Sequence, residues 1–401
     1  MIRFNDESIK NEILVNSNYY KQDLSISHGL PGISLYCFEY ARWKNDDKLI
    51  DHAINLFSES FYNLFKSDNV SLDLYSGTTG VYWLYQYLAN HDFVDLDEAT
   101  MFAYDELLVN QLELWQHNKN YDLIYGIGGI GVYFLERNLY TKNSHYLELL
   151  YNVLKKIAIK KKDKLYWKSI DLSKLKEFGY EEDKVDLGLA HGIGSIFGLF
   201  IFIYESTNDK ALQNKIVEDL NSMFNFFEFY MQNSPKAQSV LPCQIQKNEF
   251  LGYPSRVAWC YGDLPLVFLF LKGEKITGQK QMKIWAETML NLIVNRSFEN
   301  SGIVDNGICH GVAGVVLILK KILLIIDETK KQMVVDKISY YEAHFLISPD
   351  EINDGKDILF DKTNKVYWKL NKHGFLEGLS GVGLSMIPVR NENSWTKLLM
   401  L

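Results

Sequence analysis

A glycine, a second small residue three positions on, and an apolar run recur together seven times along this chain. The copies are HGLPGISLYCF at Gly29, SGTTGVYWLYQY at Gly77, YGIGGIGVYFL at Gly126, HGIGSIFGLFIF at Gly192, YGDLPLVFLFL at Gly262, HGVAGVVLIL at Gly311 and EGLSGVGLSMI at Gly378. Successive glycines lie 48, 49, 66, 70, 49 and 67 residues apart, a period near 49 with three inserted segments. Ser195 and Pro265 replace the second glycine in the fourth and fifth copies, which puts those two helix starts in question. Self-similarity at such a period means one supersecondary unit repeated, and it decides the fold class before any other feature.

Between the motifs lie amphipathic stretches at 47–65, 96–115, 144–161 and 280–297. In DKALQNKIVEDLNSMFNFF, Leu212, Ile216, Leu220, Met223 and Phe227 share one helical face, while Lys210, Gln213, Glu218 and Asn221 fall elsewhere. The segments opened by the glycine motif are apolar nearly all round, as helices buried on both sides must be. Each repeat therefore reads as one outer, half-exposed helix and one inner, buried helix. Seven such hairpins bury their inner helices most simply by closing into a double ring, an all-α, α/α toroid. An open solenoid would leave the inner helices exposed along one side. Length alone allows two or three domains, but the repeat spans the chain, so residues 1–401 are expected to form a single domain. The insertions fall near 160–186, 233–256 and 346–374. The first and last each hold a YWK triplet in a polar, strand-like setting, and the middle one reads as a loop.

Several function classes are excluded early. A net charge of −8 argues against a nucleic-acid partner, whose phosphates need clustered Lys and Arg. Four cysteines, Cys37, Cys243, Cys260 and Cys309, are too few for a disulfide scaffold and point to a reducing, cytoplasmic setting. The N-terminal stretch MIRFNDESIKNEIL has no apolar signal-like region, and no apolar run reaches the ~18 residues of a membrane span.

Closure has a chemical consequence. All seven motifs would converge at one end of the ring, making the residue before each glycine a rim position: His28, Ser76, Tyr125, His191, Tyr261, His310 and Glu377. One step earlier, Cys260 and Cys309 share the same phase in adjacent repeats, with His310 alongside. Two Cys and one His form a zinc-type donor set, and three protein ligands leave a fourth position open for catalysis. His191 shares the phase of His310, Asp122 sits four residues before Gly126, and Arg256 four before Cys260. These three read as a candidate acid or base, its orienting carboxylate and a holder of developing negative charge. His28, without an evident partner, reads as structural. GIGGIG at 126–131 matches the dinucleotide fingerprint, but that fingerprint needs a preceding strand. Here it is one copy of the helix-start repeat, so NAD binding is rejected.

AHG in the fourth motif, AWCYG in the fifth and CHG in the sixth, set within seven such motifs, closely resemble the lanthionine synthetase C-like cyclases over essentially the whole chain. The length resembles stand-alone cyclases and leaves no room for a dehydratase domain. The resemblance implies an α/α toroid with a catalytic Zn2+ held by Cys260, Cys309 and His310. It implies an acid/base pair in His191 and Asp122, with Arg256, Trp259 and Tyr261 around them. It implies a substrate, a dehydrated precursor peptide with its leader, whose Cys thiols add to dehydroalanine or dehydrobutyrine to close thioether rings. A lantibiotic dehydratase and a membrane transporter are its expected partners, with peripheral association at the inner face of the cell membrane. Two other readings of the residues stand beside it: a non-catalytic zinc-dependent module that binds glutathione-like thiols, and a protein prenyltransferase-type ring. A prenyltransferase zinc site takes an Asp, a Cys and a His, whereas this chain offers two cysteines. A toroidal glycosidase would need a carboxylate pair, and only Asp122, Asp263 and Glu377 lie near the motifs.

Overall fold

The computed structural model describes residues 6–20, 22–66, 71–169, 184–343, 358–361, 366–369, 372–389 and 394–401. Each of the seven motifs opens a helix, and the motif glycine is its N-cap every time. These inner helices are α2 (Leu30–Lys44), α4 (Thr78–Ala89), α6 (Ile127–Thr141), α8 (Ile193–Ser206), α10 (Asp263–Thr277), α12 (Val312–Leu323) and α14 (Leu379–Met386). The outer helices are α1 (Asp6–Asn16), α3 (Asp47–Leu64), α5 (Glu98–His117), α7 (His145–Ile157), α9 (Lys210–Asn233), α11 (Lys280–Asn295) and α13 (Glu328–Glu342). Asp46, Asp97 and Asp209 cap α3, α5 and α9 by accepting first-turn N–H groups, which sets where these outer helices begin.

The ring closes. Inner helices touch in cyclic order from α2 through α4, α6, α8, α10, α12 and α14, and α14 returns to α2; α1 packs on α14. This excludes the open solenoid. Ser195 and Pro265 do not disturb the pattern, since α8 and α10 start in the same phase as the others. Gly262 alone among the caps has a left-handed backbone (φ 107°), and a Cβ there would lie 1.9 Å from the Arg256 carbonyl oxygen. That geometry is open to glycine and costs other residues about 1–3 kcal/mol. In GIGGIG the glycines are contact points: Cβ atoms at Gly129 and Gly131 would meet Leu74, Leu150 and Leu199 within 2.8 Å.

A run of backbone hydrogen bonds stitches the motif end. Leu189 and Ala190 donate to the Cys260 carbonyl, Cys260 to Cys309, Ile308 and Cys309 to Leu376, Phe375 and Leu376 to Ser27, and Ser27 to Tyr75. Most of these lie two residues before their glycines, so the shared repeat phase is physically a hydrogen-bonded chain around the rim.

The centre of the ring is filled by residues 394–401, which include a 3-10 helix, Trp395–Leu399. Trp395, Leu398, Leu399, Met400 and Leu401 are all buried. Tyr75 Oη donates to the Leu398 carbonyl, Trp259 Nε1 to the Leu399 carbonyl at 2.9 Å, and Lys321 Nζ to Thr396 Oγ1 at 3.1 Å.

Two expectations are corrected. The stretch 144–161 is not helical to its end: α7 stops at Ile157, and β1 (Ile159–Lys161) pairs with β2 (Lys164–Tyr166) across a turn where Lys162 is left-handed. The middle insertion is not simply a loop. Its β4 (Gln244–Gln246) and β5 (Glu249–Leu251) join β3 (Lys184–Asp186) in a three-stranded antiparallel sheet, order β3-β4-β5. Short polar strands with few apolar alternations carry too little period-2 signal to be read. In the last insertion β6 (Ile358–Asp361) pairs with β7 (Val366–Lys369), so both YWK triplets touch hairpins. Residues 170–183, 346–357, 362–365 and 370–371 of the predicted insertions lie outside the described residues.

Candidate active site

Two of the insertion strands feed the rim directly: β3 ends at Asp186, five residues before His191, and β5 ends five before Arg256. The backbone bond from Cys260 N to Cys309 O (3.4 Å) sets the two thiols together. Ligand atoms of Cys260, Cys309 and His310 all lie within 4.8 Å of one another, and His310 Nε2 is 3.5 Å from Cys309 Sγ. Among the described residues this is the one group of three such donors so arranged.

The electrostatics suit a thiolate site. A hydrogen bond from Cys309, outweighing burial and aided by His310 and Arg256, pushes the Cys260 thiol well below its usual range. The same bond and burial push Cys309 well above it. Burial disfavours charge on His310, yet Cys260 and Asp305 raise its pKa. The pair thus gives up one proton more readily than the other, and a divalent cation held between the two sulfurs would favour loss of both. Two soft sulfurs and one imidazole nitrogen match the preferences of Zn2+. The other cysteines lack this setting: burial pushes Cys37 up to about 12 and Cys243 to about 11.

His191 Nδ1 lies 2.8 Å from Asp122 Oδ2. The other carboxylate oxygen of Asp122 accepts from Ile124 N (2.7 Å) and Tyr125 N (2.9 Å), which locks it in place. Burial acts to lower the His191 pKa, but the Asp122 hydrogen bond and charge, with Asp186 and Cys260, raise it overall. Tyr125 stacks on the imidazole with ring centroids 6.1 Å apart, and the Tyr261 ring lies 6.3 Å from it, tilted by 44°. Tyr261 Oη donates to Asp186 Oδ2 (3.0 Å); burial and that carboxylate raise its pKa. The Arg256 charge acts on both Cys260 and His310, and its guanidinium takes no hydrogen-bond acceptor among the described residues.

Cys260, Cys309, His310, His191, Asp122, Arg256 and Tyr261 therefore gather at the motif end. Trp259 is placed differently: fully buried, it points into the ring centre, against Tyr75 (6.0 Å) and the Leu399 carbonyl. It supports the site from beneath. His28, expected to be merely structural, has a rim partner in Glu377, 3.6 Å from its Nε2, and Ser27 Oγ lies 2.8 Å from its Nδ1.

Asp186 escaped the sequence reading. It is buried, accepts from Gly188 N (2.8 Å), Gln244 Nε2 (2.9 Å) and Tyr261, and tethers the three-stranded sheet to the rim. A signal existed: Asp23, Asp186 and Asp305 all stand six residues before a motif glycine.

The sequence model of the family described as Lanthionine synthetase C-like protein matches residues 20–400. No individual curated protein sequence matches the chain. Among solved structures, one titled "Nisin cyclase" superposes with a TM-score of 0.72 at 21% identity, covering 99% of this chain and 96% of that one. At that identity the likeness shows the fold, an α/α toroid in both. A prenyltransferase assignment is set aside by the family match. Seven glycine-capped inner helices in a closed ring, with the motif residues converging on one mouth, are what that family match spans, and the chain belongs to the lanthionine synthetase C-like family.

Proposed function

We propose that this protein is a cyclase that closes lanthionine and methyllanthionine rings in a dehydrated precursor peptide. The carrying observation is the Cys260–Cys309–His310 cluster beside the His191–Asp122 pair at one mouth of the family's toroid. Cys260, Cys309 and His310 would hold Zn2+, which when bound deprotonates a coordinating thiol and leaves it nucleophilic. In the reaction a substrate Cys sulfur forms a bond to the β-carbon of dehydroalanine or dehydrobutyrine. The alkene electron pair moves toward the neighbouring carbonyl, and the thiol proton is replaced at the α-carbon, so mass is unchanged.

His191 is the acid that protonates the α-carbon. Asp122 raises its pKa against the effect of burial, which favours the charged imidazolium, and holds the Nδ1–H so that Nε2 faces the mouth. Arg256, whose donors meet no acceptor among the described residues, offsets the negative charge that develops on the carbonyl oxygen. Tyr261, fixed by Asp186, walls the site beside His191. An intact His191–Asp122 pair favours catalysis over the thiol-binding reading, which needs no proton donor.

By family resemblance the protein works in the cytoplasm with a dehydratase and a membrane transporter, at the inner membrane face, and the insertions at the mouth receive the leader. No described helix is long and apolar enough to cross a membrane. Counting alkylatable thiols on a dehydrated peptide before and after incubation tests the reading. Loss of thiol at constant mass supports it, and full retention of thiol contradicts it.

A further inference from the structure

The sixth repeat holds a buried carboxylate oxygen that meets no hydrogen-bond donor among the described residues. Asp305 Oδ1 accepts from Gly307 N at 2.7 Å and closes a turn. Its Oδ2 is buried and has no hydrogen-bond partner among the described residues, although a buried carboxylate oxygen left unsatisfied is costly. It lies 3.9 Å from His310 Nδ1. That imidazole turns its other nitrogen, Nε2, toward the Cys309 sulfur. One carboxylate competes for Nδ1: Glu377 Oε1 at 4.0 Å. Glu377 is more exposed and already pairs with His28, whereas Asp305 has only 7% side-chain exposure and, among the described residues, no other partner for Oδ2.

We propose that Asp305 is a positioning residue for the metal centre, taking the Nδ1–H of His310 so that Nε2 is held bare and aimed at the position the two thiols share. The 3.9 Å gap is small enough for a slight rotation of either side chain to close. A histidine ligand whose far nitrogen is held by a carboxylate has a fixed tautomer and a more basic donor nitrogen, worth about 10–100-fold in metal affinity. The same chain uses the device at His191, where Asp122 splits its oxygens between turn N–H groups and an imidazole Nδ1. This inference rests on the zinc reading of Cys260, Cys309 and His310.

Asp305→Asn is the decisive variant. Asparagine keeps Oδ1 for Gly307 N, so the turn survives, but it presents an N–H donor where Oδ2 stood. His310 Nδ1 would then have to accept, moving the ring proton to Nε2 and away from the ligating role. Zinc affinity is measured by competition with a chromophoric chelator, and the ligand set by the visible absorption of the Co2+-substituted protein. We expect Asp305→Asn to bind zinc about 10–100-fold more weakly with an altered Co2+ spectrum. Asp23→Asn changes the matching turn in repeat one, where no ligand follows, and should leave both readouts unchanged. Wild-type affinity and spectrum in Asp305→Asn overturn the inference while the zinc site stands. An Asp23→Asn loss equal to that of Asp305→Asn also overturns it, because the effect would then belong to the turn. Failure of the wild type to bind zinc overturns both readings together.

Discussion

Replacing Asp122 by Asn changes one charge and almost no volume. Its Oδ1 still accepts from Ile124 N and Tyr125 N, so the loop before α6 keeps its shape. What is lost is the negative charge 2.8 Å from His191 Nδ1, and a donor now stands where an acceptor stood. A hydrogen bond to a charged partner contributes about 1.5–3 kcal/mol, and each 1.36 kcal/mol is tenfold in rate. The rate of ring closure should therefore fall about 10- to 150-fold. The sign of the pH effect follows from His191, whose pKa Asp122 raises against the opposing effect of burial. The acid is present below that pKa and lost as pH rises through it. In Asp122→Asn the alkaline limb of the rate profile should move to lower pH, while zinc content stays at the wild-type value. The assay is thiol loss on a dehydrated peptide across pH, with metal analysis of the same samples. An unshifted alkaline limb with wild-type rate would refute the assignment of His191 as the acid held by Asp122. Loss of zinc would refute the separation of that pair from the metal ligands.

Two stability effects follow from the packing. Gly262→Ala places a Cβ 1.9 Å from the Arg256 carbonyl in a backbone region closed to alanine, so it should destabilise by at least about 1–3 kcal/mol. Gly278→Ala, also left-handed but with open space around it, should cost only about 1 kcal/mol; equal melting shifts for the two would contradict the close approach. Leu398→Ala opens a cavity at a fully buried side chain of the segment that fills the ring, at a cost of about 2–5 kcal/mol. An unchanged melting temperature would mean that this segment does not occupy the centre.

Much of this architecture is legible in the chain because the repeat enforces it. Seven glycines in phase gave seven inner helices, and the phase shared by Cys260 and Cys309 became a direct backbone bond between them. The parts that were not legible depend on contacts between distant segments. Nothing local marks residues 394–401 as the filling of the ring, since WTKLLML is a short apolar stretch that carries no copy of the motif. Trp259 stands beside a ligand in sequence, yet its side chain turns inward because the indole N–H finds the Leu399 carbonyl there. His28 seemed partnerless because Glu377, its neighbour at the rim, is nearly a full chain length away in sequence. Asp186 was hidden inside a polar insertion whose three short strands come from two separate segments.

The central claim is that Cys260, Cys309 and His310 hold the metal while His191 moves the proton. Metal content and thiol loss on a dehydrated peptide, measured together for the wild type, Cys260→Ala and His191→Ala, test it most directly. The account predicts about one zinc per chain in the wild type and in His191→Ala, little or none in Cys260→Ala, and ring closure lost in both variants. Full zinc and full thiol consumption in Cys260→Ala, or undiminished ring closure in His191→Ala, would contradict it.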